Sequence, residues 1–112
     1  MLALFVFGAF AAESRVSAQI AGGYGDASVA DKDVRRAANF AVTSRSRSTG
    51  KTLTLVRIVK AEVQVVAGLN YRVCMTIREG RKRAKTITVV VYKDLRNRRS
   101  LSNWKVGRCS EL

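Results

Sequence analysis

Residues 52–93 read TLTLVRIVKAEVQVVAGLNYRVCMTIREGRKRAKTITVVVYK, and this stretch decides the fold. It is rich in Thr, Val, Ile and Leu, side chains that suit a pleated, half-buried strand. Residues 52–67 read as one long strand, and Gly68 marks its end or a tight turn. Residues 70–78 alternate. Tyr71, Val73, Met75 and Ile77 face one way; Arg72, Cys74, Thr76 and Arg78 face the other. Glu79-Gly80-Arg81-Lys82-Arg83 is a hairpin tip, and residues 86–93 alternate again. Ile87, Val89 and Val91 share one face there, and Thr86, Thr88, Val90 and Tyr92 the other. A polar turn, DLRNRR at 94–99, and a short strand, SLSNWKV at 100–106, complete an antiparallel meander with one apolar face.

Upstream lies the only element available to cover that face. In DKDVRRAANFAVTSRS, residues 31–46, Val34, Ala37, Ala38, Ala41 and Val42 recur at i, i+3, i+4, i+7 and i+8. This is the apolar stripe of an amphipathic helix, and its small alanines imply close packing on something broad, such as a sheet. Asp31 and Asp33 stand at its start and Arg45 and Arg47 near its end, as the helix dipole favours. Residues 44–51, SRSRSTGK, read as a polar connector, and the Gly-rich residues 19–30, QIAGGYGDASVA, as a mobile arm. The first segment stands apart. Residues 2–12, LALFVFGAFAA, form an apolar run too short to span a bilayer, and Val16-Ser17-Ala18 suits signal-peptidase cleavage. Residues 1–18 are therefore expected to be a secretory signal peptide and residues 19–112 the domain.

The composition excludes several functions. The 112 residues carry 21 Lys+Arg against 8 Asp+Glu, a formal charge of +13, and no His. Without His the chain lacks the commonest general base and the commonest metal ligand. Two Cys cannot build a four-sulfur zinc site. No cofactor is implied, and the chain reads as a binding module rather than an enzyme. The basic charge attracts anions. The aromatics of 19–112 (Tyr24, Phe40, Tyr71, Tyr92 and Trp104) are not interleaved with the basic residues, so nucleic acid is not the expected partner.

The run Gln64-Val65-Val66-Ala67-Gly68 resembles the first-hairpin motif of the cystatins, and the surrounding VRIVKAEVQVVAGLNYRV is similar to plant-type cystatins throughout. The helix segment AANFAV resembles the plant-type helix signature. Gly22-Gly23 sits where cystatins carry a trunk glycine, and LRNRRSLSNWKV resembles their last strand. The resemblance spans about residues 20–106. It implies an α+β fold with one helix packed across a five-stranded antiparallel sheet, the arm before the helix supplying the first strand. It also implies reversible, tight-binding inhibition of papain-like cysteine proteases, whether endogenous or from pests and pathogens. Three segments would occlude the protease cleft: the trunk at Gly22 and Gly23, the Gln64–Gly68 hairpin, and a second hairpin at Asp94-Leu95. The family pattern carries Pro-Trp at that last place. Asp94 puts a charge where a dry contact is expected, and Leu95 buries less area than Trp by roughly 100 Å². Weaker binding or a shifted set of targets is the expectation.

The resemblance further implies a secreted protein, extracellular or vacuolar, with a role in plant defence. A monomer is expected, with a domain-swapped dimer as the alternative. Cys74 and Cys109 leave alternatives open. A secreted chain with an even count suggests a disulfide. Cys109, however, lies beyond the last strand, one strand removed from Cys74, and a straight bridge would exceed disulfide reach unless the tail folds over the sheet. Free thiols or an intermolecular bridge are the other outcomes. Two basic clusters, Arg81-Lys82-Arg83 with Lys85 and Arg96 with Arg98-Arg99, serve solubility or attract anions. A rival reading keeps the fold, loses the inhibition, and binds polyanions or membranes through this basic surface.

Overall fold

The computed structural model describes residues 23–109. Its elements in chain order are β1 (Tyr24–Ala27), α1 (Lys32–Thr49), β2 (Leu53–Val66), β3 (Gly68–Glu79), β4 (Lys85–Lys93) and β5 (Arg99–Val106). The five strands form one antiparallel sheet in sequential order. The expected signal peptide, residues 1–18, and Gly22 lie outside the described residues.

The reading of residues 19–30 as a mobile arm is corrected for residues 24–27. They pair with Gln64–Ala61 of β2, from Tyr24↔Gln64 to Ala27↔Ala61. The long β2 would otherwise leave an open edge there, and its unpaired backbone groups recruit the Gly-rich segment as a partner.

Helix α1 is fixed at both ends by the residues the sequence supplies. Asp31 caps the start, its carboxylate accepting from the N–H groups of Asp33 and Val34 at 3.1 Å each. The helix runs further than its apolar stripe, through the expected connector, to Thr49. Gly50 then stops it with φ +73° and an N–H donated to the Ser46 carbonyl at 2.9 Å. Val34, Ala37, Ala38, Ala41 and Val42 are the buried face, as the periodicity predicts. They pack on Tyr71, Val73, Met75 and Ile77 of β3 and Ile87, Val89 and Val91 of β4. Alanines on the helix let its backbone approach the sheet while Val, Ile and Met fill the space from below.

Strand β2 does not alternate cleanly because its register against β3 slips twice, between Leu55 and Arg57 and between Ile58 and Lys60. The extra residues, Val56 and Val59, are turned outward and exposed. Such bulges bend a strand and sharpen its twist, which here lets β2 curl around the helix. The topology also sorts the turns. The β2–β3 and β4–β5 turns lie at one end of the sheet, with the entry to β1 beside them. The β3–β4 turn and the end of α1 lie at the other, where the Gly80 N–H donates to the Thr52 carbonyl at 2.9 Å.

Candidate functional site

The β2–β3 turn is as tight as an antiparallel pair permits. Val65 pairs with Leu69 and Val66 with Gly68, leaving Ala67 at the tip. Gly68 adopts φ +108°, a conformation that L side chains rarely take. A Cβ there would also collide with the Lys93 carbonyl oxygen and stand 3.0 Å from the Tyr92 hydroxyl. Gly68 is thus the point where the first turn rests against the strand leading to the second. Tyr92 completes the junction by donating its hydroxyl hydrogen to the Ala67 carbonyl oxygen. Val65 and Val66 remain 45% and 41% exposed, apolar surface held at a braced tip.

Gln64 is half-buried, and its side chain is engaged within the hairpin: Asn70 Nδ2 donates to Gln64 Oε1 at 2.8 Å between directly paired residues. It braces the strands below Val65–Gly68.

The second turn follows a different logic from the Pro-Trp pattern. The Asp94 carboxylate accepts from the backbone N–H of Arg96 and of Arg98, both at 2.8 Å, and from Arg98 Nε at 3.0 Å. The Asp94 N–H donates to the Arg98 carbonyl at 2.9 Å. The N–H of Arg98, then that of Arg96, then the Arg98 guanidinium hold the Asp94 carboxyl below its ordinary value. The charged Asp94 carboxylate thus organises its own loop, as Asx turns do. Leu95 is left at the apex, 80% exposed, beside Val65 and Val66 along one shallow groove.

The third segment enters alongside. Gly23 leads into β1 at Tyr24, directly opposite Gln64, so the trunk meets the sheet next to the first turn. The Tyr24 ring lies under the Arg72 guanidinium at 3.9 Å, and Arg72 Nε bonds Glu62 Oε1 at 2.8 Å. Burial raises the Tyr24 phenol above its ordinary value, against the opposing pull of Arg72. Gly23, Val65–Gly68 and Leu95 therefore share one end of the molecule. Tyr92, Asn70 and Arg72 support them, and nothing in their own sequence positions marked them for it. Only the strand register brings Tyr92 under Ala67 and Arg72 over Tyr24.

The chain has no His, and among the described residues no cluster of His, Cys, Asp and Glu could hold a metal. The two cysteines are joined as Cys74–Cys109 with Cα atoms 5.6 Å apart. The open question about them is resolved by the tail. After β5 the chain turns at Gly107, whose N–H donates to the Thr86 carbonyl at 3.0 Å, and Cys109 comes back over β4 to the outward face of β3. Thr88, paired with Cys74 in the ladder, lines the same outer recess as both cysteines and is fully buried.

Comparison with known proteins agrees with this architecture. Residues 27–106 match the family described as "SQAPI: Aspartic acid proteinase inhibitor". Among curated relatives, L-cystatin of Tachypleus tridentatus is 46% identical over 57 residues, covering 49% of this chain and 43% of the relative. A cystatin of Cryptophis nigrescens is 38% identical over 80 residues, covering 70% and 57%. The chain thus spans about half the length of these relatives. The salivary cystatin of the soft tick Ornithodoros moubata superimposes with a TM-score of 0.67 at 22% identity, over 80% of this chain and all of that one. Mialostatin, a gut cystatin of the hard tick Ixodes ricinus, gives 0.67 at 15% identity, over 76% and 97%. One helix across a five-stranded antiparallel sheet is the cystatin fold, and the chain belongs to the family described as SQAPI, aspartic acid proteinase inhibitor, with cystatins as its sequence relatives.

Proposed function

We propose that this chain is a reversible, tight-binding inhibitor of papain-like cysteine proteases that occupies the active-site cleft without chemistry of its own. The observation that carries the reading is the gathering of the Gly23 entry, the braced Val65–Gly68 turn and the exposed Leu95 at one end. A wedge needs apolar area presented on a shape that is already formed, because a rigid tip loses little entropy on docking. Gly22, just before Gly23, completes the trunk in this reading, and residues 1–18 direct the chain to the secretory pathway. The disulfide and the tick salivary and gut relatives favour an extracellular protein. The plant-type assignment, with vacuolar delivery and plant defence, rests on AANFAV and the last strand. We take the working unit to be a monomer, with strand exchange through β2 and β3 as the route to a dimer.

The family description favours a second reading, inhibition of aspartic proteases. The Asp94–Arg98 turn, built without Pro-Trp, is the local feature that separates the chain from the cysteine-protease pattern. Titration of residues 19–112 against papain and pepsin in parallel tests both. Tight reversible inhibition of papain, weakened by removing residues 19–23, supports the first; inhibition of pepsin alone replaces it with the second. Inhibition of neither, with retention on polyanions, would leave the rival reading of an inhibition-impaired cystatin fold.

A further inference from the structure

We propose that the end of the molecule opposite the paired hairpins is a binding site for an extended anionic polysaccharide, and that it is filled without covering the hairpin end. The basic residues are not spread evenly. The β3–β4 turn presents Arg81, Lys82, Arg83 and Lys85, and the end of α1 brings Arg47 and Lys51 next to it. All six are exposed. The sheet register adds Arg78 beside Thr54 and Lys105 beside Thr88 on the outer face, so the cations wrap around a rounded end.

Against them stands Glu79, the only carboxylate among the described residues of this end. It is already shared between Lys82 at 3.3 Å and Lys51 at 3.7 Å. The Lys82 hydrogen bond, with Lys51 and Lys85 nearby, holds the Glu79 carboxyl below its ordinary value, so it stays charged and occupied by those lysines. Arg47, Arg78, Arg81 and Arg83 make no ion pair among the described residues. The carboxylates Asp26, Asp31, Asp33, Glu62 and Asp94 lie on β1, at the start of α1, along β2 or at the hairpin end. The result is a positive field around flexible cationic side chains, carried by more cations than the Arg96, Arg98 and Arg99 cluster of the hairpin end, where Asp94 already pairs with Arg98.

The chemistry of the surface selects the partner. The turn Glu79-Gly80-Arg81-Lys82-Arg83-Ala84-Lys85 offers no large apolar side chain to anchor in a lipid surface. Trp104, the nearby aromatic that could stack a base, is covered by the Arg45 guanidinium at 5.1 Å. Cations on long stems around a convex end suit a flexible chain that repeats its charge, such as a sulfated or uronate glycan. The disulfide places the protein where such glycans are met and where cytoplasmic anionic lipid and nucleic acid are not.

The test uses residues 19–112 on immobilised heparin and on immobilised polygalacturonate with a salt gradient. A variant carrying Arg81→Ser, Lys82→Ser, Arg83→Ser and Lys85→Ser should elute at clearly lower salt. Its plot of log affinity against log salt should flatten by about one for each cation that touches the glycan. A charge-matched variant, Lys32→Ser, Arg35→Ser, Arg36→Ser and Arg96→Ser, with all four positions away from this end, should elute close to the parent. Val66→Ser with Leu95→Ser should leave retention unchanged, whatever protease the hairpin end engages. Equal loss in the two charge-depleted variants would overturn the proposal, because total charge and not this end would then explain binding. Loss in the Val66/Leu95 variant, or tighter binding to anionic vesicles or single-stranded DNA than to either glycan, would overturn it as well.

Discussion

Replacing Gly68 with Ala puts a methyl group where the two hairpins touch. Two separate penalties follow from the geometry. The backbone holds φ +108°, which a residue with a Cβ adopts at a cost of about 1–3 kcal/mol. The new Cβ would also stand 3.0 Å from the Tyr92 hydroxyl and 3.1 Å from its ring, where ordinary contact begins near 3.4 Å, and closer still to the Lys93 carbonyl. Tyr92 can swing away, but only by giving up its hydrogen bond to Ala67, worth about 0.5–1.5 kcal/mol. The Lys93 carbonyl cannot move alone, because Lys93 is paired with Leu69 in the β3–β4 ladder. The combined loss is about 2–4 kcal/mol, or roughly 10 °C or more in Tm for a domain of this size. Gly80→Ala is the matched control: φ is +57° there and nothing lies within 4 Å of a Cβ, so only the backbone penalty applies. Thermal and urea denaturation of the three proteins read the stability difference, and papain titration reads the shape of the tip. A Gly68→Ala protein as stable as Gly80→Ala, with an unchanged inhibition constant, would refute the claim that Gly68 seats one hairpin on the other.

Further outcomes follow from the same structure. Leu95→Trp should tighten papain binding by up to about 2.5 kcal/mol, from roughly 100 Å² of added apolar contact. Adding Asp94→Pro should reverse part of that gain, because Pro removes the N–H donated to Arg98 and the carboxylate that holds the loop; a double variant tighter than Leu95→Trp alone would contradict this. Cys74→Ser with Cys109→Ser opens a link across a sequence separation of 35 residues. The chain-entropy relation gives a loss of about 4 kcal/mol for such a loop, read as the shift in urea midpoint. Asp94 supplies a pH dependence. Its folded-state carboxyl is held below its ordinary value, so its contribution to the second turn is complete above the ordinary carboxylate range and fades as pH falls through the lowered value. Amide exchange of Arg96 and Arg98 should therefore lose protection on acidification in the parent, and the acid-dependent part should vanish in Asp94→Asn.

Much of the fold was legible locally. The alternation in residues 70–78 and 86–93 named the buried face of β3 and β4 residue by residue, because a period of two leaves one register that hides Val73, Met75, Ile87 and Val89. The alanine stripe of α1 was equally plain, since its spacing matches the helical turn. Residues 24–27 were harder to read. A Gly-rich segment has no intrinsic preference for a strand, and its conformation is set by the open edge of β2. The two bulges in β2 likewise left only a blurred pattern in the sequence, because they depend on how that strand must bend around the helix.

Local sequence set strands β2 to β5 and the helix, their amphipathic faces, the helix start at Asp31, and the motif at Gln64–Gly68. These depend on local conformational preference and on periodic burial, both of which act between near neighbours. Tertiary structure alone decided that Tyr92 braces Ala67, that Arg72 covers Tyr24, and that Cys109 returns over β4 to meet Cys74. It also gathered the basic side chains of the β3–β4 turn and the end of α1 at the end away from the hairpins. Those outcomes join residues from different strands, and a pairing across strands is set by register and sheet order, to which no single stretch of sequence has access.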